Sequence, residues 1–367
     1  MKKLVFALPQ MALGGTEKSL LSLLDTLSKD EYDITILLFK KEGALLDQIP
    51  EWVKVVEVPD YELITYDFNE SPFKLTPKYI KQGRLIRAFN IFFRHIVFRV
   101  TKNRYSYYKY VLNDFRYSES FDVAISYLGP YDLLTAYVLF CINAKEKIQW
   151  IHFDVSKYVF SKNTSRSLYK KYDKINVVSE GARNSLVSVL PEYKIKTYYV
   201  KNKISEKLLK EMATRENGFE DGFAGIRIIT VGRLSEEKGQ DIIPEIAYLL
   251  KRKGYCFKWY IIGEGPLLQI LKDEIQKYEV EESVILTGAK KNPYPFYKEA
   301  DIYVQTSVHE GFCLTIAEAK VFDLPIISTE FEGAHEQLDG RDKSYIVKRE
   351  AKEITEAIEK TIKKEYQ

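Results

Sequence analysis

Arg233 and Lys238 stand five positions apart in Thr230-Val-Gly-Arg-Leu-Ser-Glu-Glu-Lys-Gly239, directly after an apolar run that ends at Val231. Two cations at that spacing, one able to make a two-pronged contact, suit a diphosphate. Both could equally lie in solvent. Glu310 and Glu318 form a second feature, seven residues between them, in Val308-His-Glu-Gly-Phe-Cys-Leu-Thr-Ile-Ala-Glu-Ala319. The pair straddles a strand-to-helix turn. N–H groups of residues 312–315 at that helix start would stabilise negative charge on a departing phosphate. Two blander readings stand beside it: Thr315-Ile-Ala-Glu318 also reads as a capping box, and Glu310 could be a solvated loop acid. A third feature is Gly14-Gly15-Thr16-Glu17, where two glycines let the backbone approach a ligand and the next helix offers free N–H groups to a phosphate. Such a pair is also commonly just a turn.

Chemistry of this kind needs a frame that brings strand ends and helix starts to one side, which open α/β sheets do. Short apolar runs alternate here with amphipathic ones, the pattern of βα units around a parallel sheet. Residues 4–8, 33–39, 53–58, 123–127, 147–151 and 175–178 read as strands, with a helix over 16–27. The arrangement then restarts with strands at 226–231, 257–262, 284–287, 302–305 and 325–328. A polar segment near 200–225 is the seam, and 351–366 is helical, with Ile354, Ala357, Ile358 and Ile362 at helical spacing. The fold class is therefore α/β, two Rossmann-like halves facing a cleft. The expected domains are residues 1–201 and 202–354, with a last helix over about 355–367 that can pack back on the first.

Bulk properties agree. At 367 residues the chain is too long for one ordinary core, and 46% hydrophobic with 29% charged residues is a folded, soluble composition. Cys141, Cys256 and Cys313 lack zinc-like spacing, and their scatter suits a reducing cytoplasm. The apolar start breaks at Pro9, so a first strand is a better reading than a signal peptide. No apolar stretch approaches the ~20 residues of a spanning helix. Charge is unevenly placed. Residues 74–116 hold eleven Lys/Arg against one acid, Asp114, so the net +3 of the chain leaves −7 for the remainder. The same segment interleaves Phe92, Phe93 and Phe98 with Arg94 and Arg99, as an interfacial helix does. Arg87, Arg94, Arg99 and Lys102 are the candidates to face an anionic membrane; ordinary helices with solvated cations are the alternative. Nothing else points to nucleic acid.

Gly232-Arg-Leu-Ser-Glu-Glu-Lys-Gly239, Ile262-Gly-Glu-Gly-Pro266 and Glu310-Gly-Phe-Cys-Leu-Thr-Ile-Ala-Glu318 occur in this order, with Gly14-Gly15 upstream. Together they resemble the signature of glycosyltransferase family 4, of the GT-B fold. The resemblance implies that Arg233 and Lys238 hold a donor diphosphate, beside Gly15 and the backbone of Phe312, Cys313 and Leu314. It implies that Glu318 accepts hydrogen bonds from ribose hydroxyls and that Glu310 contacts hydroxyls of the donor sugar. Gly263, Gly265, Ala289 and Lys290 would surround the nucleoside, and His152 matches a histidine near the transferred sugar. On sequence alone His152 could be a satisfied structural residue. The sequence departs from the family at Lys320-Val-Phe-Asp323, where a glycine-containing turn is usual, and at Asp339-Gly-Arg-Asp-Lys-Ser344.

The implied activity is a retaining hexosyl transfer from a nucleotide-diphosphate sugar, a UDP-sugar ahead of GDP-mannose. The acceptor would be a hydroxyl of a lipid-linked or glycan molecule. The motif wording is similar to bacterial capsular and exopolysaccharide transferases, which implies a cytoplasmic enzyme peripheral to the plasma membrane. No cofactor or metal is called for, since Arg233, Lys238 and a helix dipole can neutralise the leaving diphosphate. Two alternatives stay open: a GT-B-fold epimerase or phosphorylase, and a non-catalytic homologue acting as a partner or carbohydrate-binding subunit.

Overall fold

The computed structural model describes residues 1–153, 155–157 and 161–366, and the chain divides into two compact units, Met1–Lys201 and Asn202–Gln367. The first unit carries strands β1 (Lys2–Leu8), β2 (Tyr32–Leu38), β3 (Lys54–Glu57), β4 (Ser120–Gly129), β5 (Asn143–Ile151), β6 (Lys174–Val177) and β7 (Thr197–Tyr199). Its helices are α1 (Gly15–Asp25), α2 (Tyr61–Asn69), α3 (Pro72–Lys81), α4 (Leu85–Thr101), α5 (Tyr105–Val111), α6 (Asp132–Cys141), α7 (Lys162–Tyr169) and α8 (Glu180–Val189). The strands form one sheet in the order β3-β2-β1-β4-β5-β6-β7, parallel throughout.

In the second unit, helix α9 (Glu206–Met212) precedes β8 (Ile226–Val231), α10 (Ile243–Arg252), β9 (Phe257–Ile262), α11 (Leu268–Lys277), β10 (Val284–Gly288) and α12 (Tyr294–Glu299). The unit is completed by β11 (Ile302–Gln305), α13 (Leu314–Val321), β12 (Ile326–Thr329), α14 (Glu332–Leu338), β13 (Ser344–Val347) and α15 (Ala351–Tyr366). Its parallel sheet runs β10-β9-β8-β11-β12-β13. The expected fold class, two Rossmann-like α/β units, is what the chain adopts. Parallel strands covered by helices on both faces must be apolar along their length, not alternating. That is why runs such as Ile-Arg-Ile-Ile-Thr-Val in β8 and Ile-Tyr-Val-Gln in β11 were readable. In both sheets the strand order reverses once, between β1 and β4 and between β8 and β11. At such a point adjacent strand ends diverge and leave a crevice for a ligand.

Two expectations fail. The last helix does not return to the first unit: Ile354, Ala357, Ile358 and Ile362 of α15 are buried in the core of the second, against α10. Their helical spacing makes an apolar stripe that the nearest open helix–sheet face takes up. The second failure concerns the basic segment, which forms α3, α4 and α5 between β3 and β4. Arg87 does not face outward. Its guanidinium is paired with buried Asp67 at 3.0 Å and with Asp114, and its side chain is only 13% exposed. Arg94 also turns inward, over the Tyr110 ring at 4.9 Å and onto the carbonyl of Ser106. Asp67 supplies the reason: it accepts from Tyr79 and Arg87 with Lys78 beside it, so the cations of this segment serve to tie α2, α3 and α4 together. Arg99 and Lys102 remain exposed.

Candidate active site

Beyond β8, β9 and β10 the chain makes three turns stitched by backbone. Gly232 N–H donates to Ile262, Leu234 N–H to Glu264, and Gly263 N–H to Gly288, all near 3.0 Å. Gly263 has to be glycine, because a side chain there would run into the Gly232 carbonyl oxygen. The turn after β8 closes at Gly239, which has φ +62° and abuts the Thr306 carbonyl. The Thr306 hydroxyl donates to the Lys238 carbonyl at 3.0 Å, and Val308 N–H donates to Glu237 at 2.9 Å. The loops after β8 and β11, the two strands at the reversal, are thus laced together.

This lacing brings Lys238 to Glu310, and their side chains form an ion pair, 18% and 15% exposed. Burial alone would depress the ammonium's pKa, but the Glu310 carboxylate more than offsets this and raises it. Arg233 is exposed, and its guanidinium makes no hydrogen bond or ion pair among the described residues. Glu310 is aimed from behind by a buried chain that the sequence did not disclose. Gln305 donates to the Ser307 hydroxyl at 2.6 Å, and Ser307 donates to Glu310 at 3.0 Å. The Gln305 oxygen accepts from Thr315 at 2.9 Å and from Tyr303. Gln305 and Ser307 are each 1% exposed, so the chain is shielded from solvent competition.

Helix α13 opens at Leu314 with Cys313 as its N-cap at φ +55°. Phe312 and Cys313 are buried, and Gln337 fixes the carbonyls of both. The first N–H groups of α13 have no partner inside the helix, and the dipole adds partial positive charge there. Thr315 is not the N-cap, and its hydroxyl goes to Gln305, so the capping-box reading of Thr315 and Glu318 does not hold. Glu318 instead lies 2% exposed and accepts from the Tyr294 hydroxyl at 3.1 Å and the Tyr297 hydroxyl at 3.0 Å. Burial first, then the neighbouring carboxylate, pushes both phenols well above their ordinary range. Across the sheet, Glu264 accepts from Ala289 N–H at 3.3 Å, joining the turn of Gly263 and Gly265 to that of Ala289 and exposed Lys290.

The first unit holds the other two predicted residues. Gly15 starts α1 after a six-residue loop from β1, with Gly14 as N-cap. His152 follows β5 and is 9% exposed. Burial drives its pKa down to about 3 against a hydrogen bond to the Tyr127 backbone, so the imidazole is neutral. Its Nε2 is buried without a partner among the described residues, as is the Nε1 of Trp150, whose ring lies nearly parallel to it at 6.2 Å. A neutral imidazole acceptor beside an indole donor suits a ligand hydroxyl, which both gives and takes a hydrogen bond. Trp150 was missed because an aromatic in a strand reads as core. Glu17, one turn into α1, is also buried, which pushes its carboxyl up to about 7 despite its own N–H.

Arg233, Lys238, Glu310, Cys313 and Glu318 thus follow the carboxyl ends of one sheet, around its reversal. Residues 224–367 match the family described as Glycosyl transferases group 1. The C-terminal unit is thus similar to a glycosyltransferase group 1 domain. An uncharacterized glycosyltransferase of Methanocaldococcus jannaschii is 32% identical over 168 residues, 44% of this chain and 41% of that protein. The amylovoran biosynthesis glycosyltransferase AmsK of Erwinia amylovora is 34% identical over 122 residues, 31% and 30% of the two chains. The chain thus spans well under half the length of these two relatives. Among solved structures, HepE of Anabaena with UDP and glucose has a TM-score of 0.67 at 15% identity, covering 99% of this chain and 90% of that one. TarM of S. aureus, with fondaparinux, α-GlcNAc-glycerol and UDP, has a TM-score of 0.66 at 14% identity, covering 100% and 97%. That likeness is one of fold, and it extends over both units, not the group 1 domain alone.

Proposed function

We propose that this chain is a retaining glycosyltransferase of the family 4 type, moving a hexosyl group from a UDP-sugar to a hydroxyl of a lipid-linked or glycan acceptor in bacterial capsular or exopolysaccharide synthesis. The observation that carries the reading is the Lys238–Glu310 pair at the strand-order reversal, beside the N-terminus of α13. Arg233 and Lys238 take the donor diphosphate, and the first turn of α13 adds N–H groups to the leaving phosphate as its charge grows. Glu310, released by Lys238, turns to hydroxyls of the donor sugar. The ribose hydroxyls donate to the Glu318 carboxylate, which Tyr294 and Tyr297 hold in place. His152 Nε2 accepts a hydrogen bond from a hydroxyl of the transferred sugar. With Glu310 engaged in binding, the departing phosphate itself removes the acceptor proton on the face it leaves, which retains configuration.

Support for a saccharide substrate comes also from the relatives' names: a Campylobacter jejuni protein 25% identical over 193 residues is named as a transferase acting on a diphospho-undecaprenol-linked sugar. We further infer that the enzyme is peripheral, meeting such an acceptor at an anionic membrane surface. The test is release of the nucleoside diphosphate, UDP or GDP, from a panel of UDP- and GDP-sugars with and without a polyprenyl-diphosphate-linked acceptor, and NMR of the product's anomeric carbon. Acceptor-dependent release with retained configuration is expected. Nucleotide binding without turnover across the panel would make the chain a non-catalytic subunit instead.

A further inference from the structure

Helix α4 turns an apolar face to solvent. Leu85, Ile86, Phe89, Phe92, Phe93, Ile96 and Val100 are each 41–80% exposed, whereas only Ala88 and Ile91 of the helix are buried. At about 100° per residue these seven side chains fall within roughly 120° of arc, an unbroken stripe along 17 residues. Arg87 and Arg94 project from the opposite side into the fold, which is why the stripe holds no charge. Cations stand instead at its ends. Lys81 and Arg84 precede α4, Arg99 and Lys102 close it, and all four are exposed with no ion-pair partner among the described residues. The helix has no acid, and Asp114, the one acid of the segment, is held by Arg87. Phe73 and Ile80 of the adjoining α3 are exposed too.

We propose that this face is a membrane-docking surface in which α4 lies in the plane of an anionic bilayer. Ile86, Phe89, Phe93 and Val100 enter the acyl boundary, with the end cations among the lipid headgroups. This deepens the peripheral reading above and reverses its emphasis: apolar insertion anchors the helix, and Arg87 and Arg94 take no part. An uncharged stripe bounded by cations at both ends has the form of an interfacial helix. Charge decides between occupants. A two-fold contact with a second copy would set two strongly basic segments against each other. An anionic lipid surface neutralises them. A nucleic acid would need cations across the face to meet its phosphates, and there are none.

Vesicle co-sedimentation of the full chain, without donor or acceptor, tests this, and its failure leaves the transferase reading untouched. Phosphatidylcholine vesicles containing phosphatidylglycerol should retain the wild type far better than phosphatidylcholine alone. High salt should weaken binding without abolishing it, because apolar insertion is not screened. Phe89→Ser with Phe93→Ser should lower the partition coefficient at least tenfold, and Arg99→Gln with Lys102→Gln about thirtyfold. Should the phenylalanine pair lower Tm, Ile86→Ser with Val100→Ser, at the most exposed positions, carries the same test. Absent binding of wild type to the anionic vesicles, or binding untouched by the serine substitutions, overturns the proposal. A concentration-dependent dimer dissolved by those substitutions overturns it too, in favour of a second copy.

Discussion

Lys238 and Glu310 are assigned to different parts of one donor, yet they hold each other. A diphosphate must therefore displace Glu310 from Lys238 before it is held. Glu310→Gln removes that competitor while keeping shape. UDP should bind the variant severalfold tighter by calorimetry, although turnover falls because the sugar contact is lost. Weaker UDP binding in Glu310→Gln would sink the exchange. The two cations should also behave differently. Arg233→Ala removes an exposed group with no ion pair among the described residues, so kcat/KM should fall roughly ten- to a hundredfold with Tm unchanged. Lys238→Ala should show a comparable kinetic loss and a lower Tm as well, because it strands Glu310, 15% exposed, without its partner. Equal Tm values would show the pair to be loosely held. The motif residues were legible because their types and local spacing are the signal. Gln305, Ser307, Tyr294 and Tyr297 were not, because each acquires its role from a partner across a turn or a helix. Tyr294 meets Glu318 only once α12 and α13 are packed side by side.

Secondary-structure elements were legible in proportion to their burial. The inner strands were found within a few residues, whereas β7 and β13, edge strands of three and four residues with exposed or half-exposed positions, carried apolar runs too short to mark them. For α4 the composition signalled an amphipathic surface, but the direction of Arg87 depends on Asp67, twenty positions away. Helix α1 has a consequence of its own at this scale. Glu17 sits in its first turn with the carboxyl raised from 4.5 to about 7 by burial. Between those values the folded chain holds a proton that the unfolded chain has lost. Stability should therefore fall as pH rises from about 4.5 to about 7 and level off above, by up to about 3 kcal/mol. Glu17→Gln mimics the protonated form, so its Tm advantage over wild type should be nil near pH 4.5 and full at pH 8. A difference in Tm that does not change with pH would show that Glu17 is not the group responsible.

At the scale of the whole chain, each unit has its own core. One buried cluster draws on β1–β6 and α2–α8, and the two clusters of the other draw on β8–β12 and α9–α15. Every residue assigned to the nucleotide or diphosphate apart from Gly15 belongs to Asn202–Gln367. Separate cores melt as separate cooperative units unless an interface couples them. A ligand stabilises the unit that binds it by mass action. Scanning calorimetry should therefore resolve two components. UDP at about a hundred times its Kd contributes about 2.7 kcal/mol to the C-terminal unit, which for a unit of this size raises the midpoint by roughly 5–10 °C. The component from Met1–Lys201 should stay where it is. Lys238→Ala should cancel most of that rise, and Phe89→Ser with Phe93→Ser should leave it intact, because α4 belongs to the other core. Hydrogen exchange near the first midpoint identifies which sheet opens first. One transition that UDP moves as a whole would mean that the units are coupled strongly enough to unfold together. A UDP-sensitive component whose exchange maps to β1–β6 would put the nucleotide in the N-terminal unit and overturn the assignment of Arg233, Lys238 and Glu318.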